Sequence, residues 1–145
     1  MTTEVIHVKR VRPGAKLPRR ATPGSSGFDL YACLEVGDVI VGNSPVLIPT
    51  GIALETPAGC DVQVRPRSGL AREGVLCTFG TIDADYRGEL MVTLYTMASD
   101  IEHIVRDGDR IAQVVVGRLA DVNFEEAQAL SETERGVGGH GSTGR

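Results

Sequence analysis

Arg65-Pro66-Arg67-Ser68-Gly69 sets two guanidinium groups, a hydroxyl and a glycine where a strand should end. If Ser68 caps a helical turn, the free amides of that turn face the same way as Arg67, and together they hold an anion. A surface turn whose arginines pair with local carboxylates explains the cluster equally well. Thr81-Ile82-Asp83-Ala84-Asp85-Tyr86-Arg87-Gly88 reads as a strand with Ile82 and Ala84 on one face and Asp83 and Asp85 on the other. Arg87 continues the acidic face and neutralises one carboxylate, and the spare one, beside an aromatic, is a candidate general base. The commoner use of such a stretch is an edge turn with Asp for solubility. Asp29 sits between Phe28 and Leu30, where a buried carboxylate bonding turn amides is one explanation. Gln113 interrupts an apolar strand, either on a solvent face or reaching a ligand. Near the C-terminus, Arg135 to Gly144 combines a guanidinium, two hydroxyls, a flat ring and unhindered amides, the inventory for wrapping a polyphosphate and stacking on a base.

Other chemistries lack their signatures. There is no HExxH, no paired CxxC, no Gly-x-Ser-x-Gly, no Walker loop, and His7, His103 and His140 are far apart. The 145 residues suit one domain with its own core. A formal charge of −4 disfavours coating nucleic acid or an anionic membrane, and no apolar run reaches membrane-spanning length. Cys33, Cys60 and Cys77 are odd in number and scattered, which fits a reducing cytosol, and the N-terminus lacks a secretory signal. The expectation is a soluble, cytoplasmic, single-domain protein.

The elements that must position these residues are strands. Apolar residues recur with period two or in short β-branched runs, and all seven prolines lie at or before Pro66. Strands are predicted over Val5–Val8, Phe28–Ala32, Val39–Val41, Val46–Ile48, Ile52–Glu55, Asp61–Arg65, Glu89–Thr96 and Arg110–Val116, the last two being the longest. Ser68 to Gly74 suits two helical turns, with Ser68 as N-cap and Gly74 as the stop. Asn123 to Leu130 balances between a short helix and an extended segment. With 4% aromatics and no Trp, the core must be aliphatic. An all-β antiparallel sandwich, barrel or jelly roll follows. Residues 131–145 contain five glycines and Val137 as the only aliphatic side chain. They form either an inconsequential tail or a loop that orders over a ligand.

The order of these clusters along the chain resembles the deoxyuridine triphosphate nucleotidohydrolase family, the homotrimeric dUTPases. Five motifs carry the resemblance: Ser26 to Ala32, Arg65 to Leu70, Gly80 to Glu89, Gly108 to Gln113, and Arg135 to Gly144. The resemblance implies a jelly-roll-like antiparallel β-barrel (the dUTPase β-clip) over residues 1–130. It also implies a flexible glycine-rich arm, residues 131–145, that closes a neighbouring active site. Three sites would sit at subunit interfaces, the ordering entropy of the arm being offset when triphosphate binds.

The implied reaction is hydrolysis of dUTP to dUMP and pyrophosphate by water attack on the α-phosphorus. Asp83 matches the carboxylate that orients and deprotonates the water. Tyr86 matches the ring packed against the sugar, leaving no room for a 2′-hydroxyl. Arg67, Ser68, Gln113, Arg135, Ser142 and Thr143 match phosphate contacts. Gly69, Gly80, Thr81, Ile82, Met91, His140 and Gly141 complete the implied substrate-binding set. Mg²⁺ would arrive on the triphosphate, with Asp29 reaching it through water. Three chains would carry −12, so local arginines and the metal must overcome a general repulsion of the substrate.

Two positions depart from the family pattern. His140 stands where many relatives have Phe, and its neutral ring still stacks on uracil. Cys77 stands where bacterial relatives often place an Asn that reads uracil, leaving backbone groups around Phe79 to Ile82 to do so. The nearest rival is a dCTP deaminase, which would want a catalytic glutamate and a longer chain. A nucleotide-sensing module without turnover and a structural jelly-roll subunit are the non-enzymatic rivals.

Overall fold

The computed structural model describes residues 3–144. Among the described residues there are ten strands, β1 (His7–Arg10), β2 (Gly27–Tyr31), β3 (Val39–Val41), β4 (Val46–Glu55), β5 (Cys60–Arg65), β6 (Val75–Cys77), β7 (Gly80–Ile82), β8 (Glu89–Thr96), β9 (His103–Val105) and β10 (Arg110–Arg118), with one helix, α1 (Ser68–Arg72), between β5 and β6. They form two four-stranded antiparallel sheets, β1-β4-β8-β6 and β2-β10-β5-β7, and a β3-β9 ribbon. This is the expected all-β, jelly-roll-like architecture.

Period two places the core. In β5, Cys60, Val62 and Val64 turn inward while Asp61, Gln63 and Arg65 turn outward. In β8, Leu90, Val92, Leu94 and Thr96 are the inward set. These meet Leu30, Val41, Ile48, Ile52, Ile111 and Val114 in one aliphatic cluster, with no fully buried aromatic among the described residues.

Local structure departs from expectation at the first strand, in β4 and at the start of α1. The first strand is His7–Arg10 rather than Val5–Val8. Val46–Ile48 and Ile52–Glu55 belong to one ten-residue strand, the longest described, so Glu89–Thr96 and Arg110–Arg118 rank below it. Pro49 and Gly51 do not break β4. Its register against β8 shifts between Pro49 and Ala53, and Gly51 takes φ +72° there. Ser68 is not the N-cap: Arg67 holds that position with extended backbone and no side-chain cap bond, since a guanidinium only donates and cannot accept from the helix amides; it is directed at Asp29 instead. Gly74, at φ +82°, does stop the helix, and its amide donates to Ala71 O.

Asn123–Leu130 forms neither a helix nor a strand. Past Leu119, whose amide donates to Gly59 O, the hydrogen bonds described are local: Gly136 to Thr133, Gly138 to Arg135, Ser142 to Gly139 and Gly144 to Gly141. Leu119, Val122, Phe124, Leu130 and Val137 are exposed, Phe124 at 99%.

Candidate active site

The strand β10 lies between β2 and β5, with Gln113 opposite Asp29 on one side and Arg65 on the other. That row gathers three of the five motifs at one end of the sheet. Arg67 Nε lies 3.2 Å from Asp29 Oδ1, its Nη1 donates to Arg110 O at 3.3 Å, and Arg110 Nη1 is 3.8 Å from Asp29 Oδ2. Asp29 is thereby 8% exposed although it faces away from the core. It bonds guanidinium groups, not turn amides, and Arg67 finds its carboxylate on another strand rather than locally.

Gln113 Nε2 donates to Pro66 O at 2.9 Å. Its amide oxygen lies where a Cβ on residue 27 would be, so Gly27 is the residue that allows Gln113 to lie flat across β2. Ser68 and Gly69 follow in the first turn of α1, where helical geometry leaves amides without intrahelical acceptors. Both residues are exposed.

The third motif lies elsewhere. β7 pairs with β5 through Val62↔Ile82, Gln63↔Thr81 and Val64↔Gly80, which puts Asp83 toward the Cys60 end. Arg67 lies five residues beyond Val62 along the same extended run, about 16 Å at ~3.3 Å per residue. One chain therefore does not bring Asp83 to Arg67.

The strand expected over Thr81 to Gly88 ends at Ile82, and Asp83 to Gly88 forms a turn with Tyr86 N–H donating to Asp83 O at 3.0 Å. The alternation of Asp and Ala is thus not a strand face. Arg87 neutralises neither Asp83 nor Asp85. Its Nη1 donates to Ala84 O and Tyr86 O, and its Nη2 lies 3.7 Å from Glu55. Tyr86 is 45% exposed, with its hydroxyl donating to Glu89 O at 3.0 Å and its ring against Gly88. Met91, 39% exposed, lies on the outward face of β8 beyond Glu89.

Two features escaped sequence reasoning. Gly27 was legible only as part of a motif, since the need for it arises from Gln113 on another strand. Glu89, likewise legible only as the end of a motif, is clamped by Arg12 and by the Gly51 amide, partners 77 and 38 residues away. Cys77 is buried at 3%, and loss of hydration pushes its thiol up to about 11. Arg135, with its Nε donating to Gly138 O, and His140, Gly141, Ser142 and Thr143 all lie on the exposed C-terminal segment.

Residues 14–144 match the dUTPase family. The chain belongs to the dUTPase family. It is similar to the deoxyuridine 5′-triphosphate nucleotidohydrolase of Hydrogenobaculum sp. (strain Y04AAS1), at 50% identity over 94% of this chain and 96% of that protein. It is likewise similar to the enzyme of the same name from Treponema pallidum subsp. pallidum, at 49% identity over 92% and 94%. In fold, this dUTPase-family chain resembles a point mutant of the Staphylococcus bacteriophage 80alpha dUTPase with dUpNHpp. The TM-score is 0.82 at 22% identity, covering 99% of this chain and all of the other. It also resembles a mutant dUTPase from phage phi11 of S. aureus, described with a structural Mg(II) ion, at TM-score 0.76 and 20% identity over 86% and 97% of the two chains.

Among the described residues no three His, Cys, Asp or Glu side chains gather as a metal cage. Asp29 keeps acceptor capacity beyond its arginine contacts, which fits a contact through water to a cation carried by phosphate oxygens. No helix among the described residues is long and apolar enough to cross a membrane.

Proposed function

We propose that this chain is a dUTP diphosphatase. In this reading it hydrolyses dUTP to dUMP and pyrophosphate by water attack on the α-phosphorus, removes dUTP from the nucleotide pool, and supplies dUMP for dTMP synthesis. It acts in the cytoplasm on a small-molecule substrate.

The observation that carries the reading is the division of the site. Asp29, Arg67 and Gln113 form a preorganised anion cradle at one end of β5, while Asp83 and Tyr86 sit at the other. A homotrimer with shared sites resolves that division: the cradle of one protomer meets the Asp83 turn of a second. The arm, residues 131–145, comes from a third, and residues 1–130 form the barrel. The charge pattern supports such an embrace. Residues 119–134 carry Asp121, Glu125, Glu126, Glu132 and Glu134 with no cation, whereas Lys9, Arg10, Arg12, Lys16, Arg19 and Arg20 form a basic stretch with no acid.

Within the assembled site Asp83 holds and deprotonates the attacking water. Exposure at Asp83 leaves that carboxylate free to meet water from outside its own chain. Arg67, Ser68, Gly69 and Gln113 hold phosphate oxygens, and charge on the transition state is stabilised by groups already in place. Gly80, Thr81, Ile82, Tyr86 and Met91 receive the nucleoside, with backbone groups reading uracil, since the buried Cys77 thiol is not presented to a ligand. Arg135, His140, Gly141, Ser142 and Thr143 close over the phosphates and base. Mg²⁺ supplies charge neutralisation on the triphosphate when bound, with Asp29 reaching it through water.

The test is incubation with dUTP and with dCTP in the presence and absence of Mg²⁺, with pyrophosphate and ammonia both assayed. Pyrophosphate from dUTP, dependent on Mg²⁺, is the expected result. Ammonia from dCTP, or nucleotide binding without turnover, overturns it.

A further inference from the structure

Glu89 opens β8 directly after the turn that carries Asp83 and Tyr86, and its carboxylate is held from two sides. Arg12 Nε lies 3.0 and 2.8 Å from its two oxygens, and the Gly51 amide donates to Oε2 at 2.9 Å. Gly51 can turn its amide toward Glu89 because its backbone is left-handed at the β4 register shift. A Cβ there would also stand 2.7 Å from the Ala15 methyl. The Gly51 carbonyl accepts from Val11 N–H at 2.8 Å, which delivers the neighbouring Arg12 to the carboxylate. Arg12 and Glu89 side chains are 33% and 19% exposed, so water competes only partly for the pair.

Glu89 in turn carries Tyr86. The phenol hydroxyl donates to the Glu89 carbonyl, and the ring rests where any side chain on residue 88 would collide with it. A chain of contacts therefore runs from Arg12 through Glu89 to the Tyr86 ring. Asp83 follows directly on β7, which pairs with β5, and shares the turn with Tyr86 through the Tyr86 N–H to Asp83 O bond.

We infer that Arg12 and Glu89 are positioning residues for Tyr86, and that they set how closely its ring approaches the nucleotide sugar and so the preference for deoxyribose over ribose. This rests on the reading that Tyr86 faces the sugar of dUTP.

The experiment is steady-state kinetics with dUTP and UTP on the full chain, Arg12→Lys, Glu89→Gln, Tyr86→Phe and the Glu89→Gln/Tyr86→Phe double variant, each with its Tm. Glu89→Gln should lower the dUTP-to-UTP ratio of kcat/KM by about tenfold, mainly through a lower KM for UTP as room opens for the 2′-hydroxyl, with kcat for dUTP within about threefold. Tyr86→Phe should lower the ratio similarly, and the double variant no further, because both changes cut the same chain of contacts. Arg12→Lys keeps the charge but not the planar group, should fall between, and carries the test if Glu89→Gln fails to fold. A lowered Tm with an unmoved ratio, or fully additive losses, overturns the inference while leaving the dUTPase reading intact. A full chain inactive toward dUTP overturns both.

Discussion

Arg67 Nε lies 3.2 Å from Asp29 Oδ1, so the helix-capping residue of α1 is tied to the middle of β2. The pair brings a cation and a nearly buried anion to the base of the proposed anion cradle. Arg67 thereby has a defined orientation before any ligand arrives.

Removing Arg67 strips Asp29 of its nearer partner and leaves Arg110, at 3.8 Å, as the remaining cation. Arg67→Met should cost about 1–2 kcal/mol, discounted for the 25% exposure of the arginine side chain. It should also raise KM for dUTP. Urea titration and initial-rate kinetics measure the two effects, and an unchanged KM would remove Arg67 from the phosphate contacts.

Asp83 makes no described side-chain contact that would suffer from its loss. Asp83→Asn should therefore lower kcat by about 10²- to 10⁴-fold while nucleotide still binds and Tm holds. Calorimetric titration with a non-hydrolysable dUTP analogue, beside turnover assays, checks both halves.

Truncation after Ser131 removes a segment whose described hydrogen bonds are all internal to it. Turnover should be abolished, while the proposed trimer should persist in sedimentation and Tm stay within about 3 °C. Retained activity would reduce the segment to a tail of no consequence.

Acid should weaken the Arg12–Glu89 tie. The Arg12 guanidinium holds the Glu89 carboxyl below its ordinary range, mainly through the hydrogen bond between them. A carboxylate whose folded-state pKa is depressed contributes stability above its unfolded-state pKa and loses it as pH falls through the folded value. The stability difference between the full chain and Glu89→Gln should thus be largest near neutrality and shrink below about pH 4.5. Urea midpoints measured from pH 3 to 7 test the sign.

The three cysteines are buried, and loss of hydration raises the thiols of Cys33 and Cys77. The native protein should hide all three from a colorimetric thiol reagent at pH 8 and release three equivalents in denaturant. Rapid native labelling of Cys77 would show that β6 opens away from its pairing with β8.

Much of the fold was legible because period two is a local property. The strand β8 falls on Glu89–Thr96 as its apolar spacing predicts, and β5 alternates from Cys60 to Arg65. The same rule misread Asp83 to Arg87, where alternating Asp and Ala imitates a strand. There Tyr86 needs a turn to lay its ring on Gly88. It also divided β4, since Pro49 and Gly51 punctuate a sequence but can be absorbed by a register shift.

The residue types of the candidate site, the order of its motifs and the aliphatic composition of the core were determined by the sequence alone, because each resides in neighbouring positions. Tertiary structure alone decided which groups meet. Asp29 pairs with Arg67, Gln113 lies across Gly27, and Glu89 is gripped from β4 and the loop after β1. Those meetings depend on strand order and register, which bring together residues dozens of positions apart. The same strand order sets Asp83 and Arg67 at opposite ends of β5, a separation that no local pattern encodes.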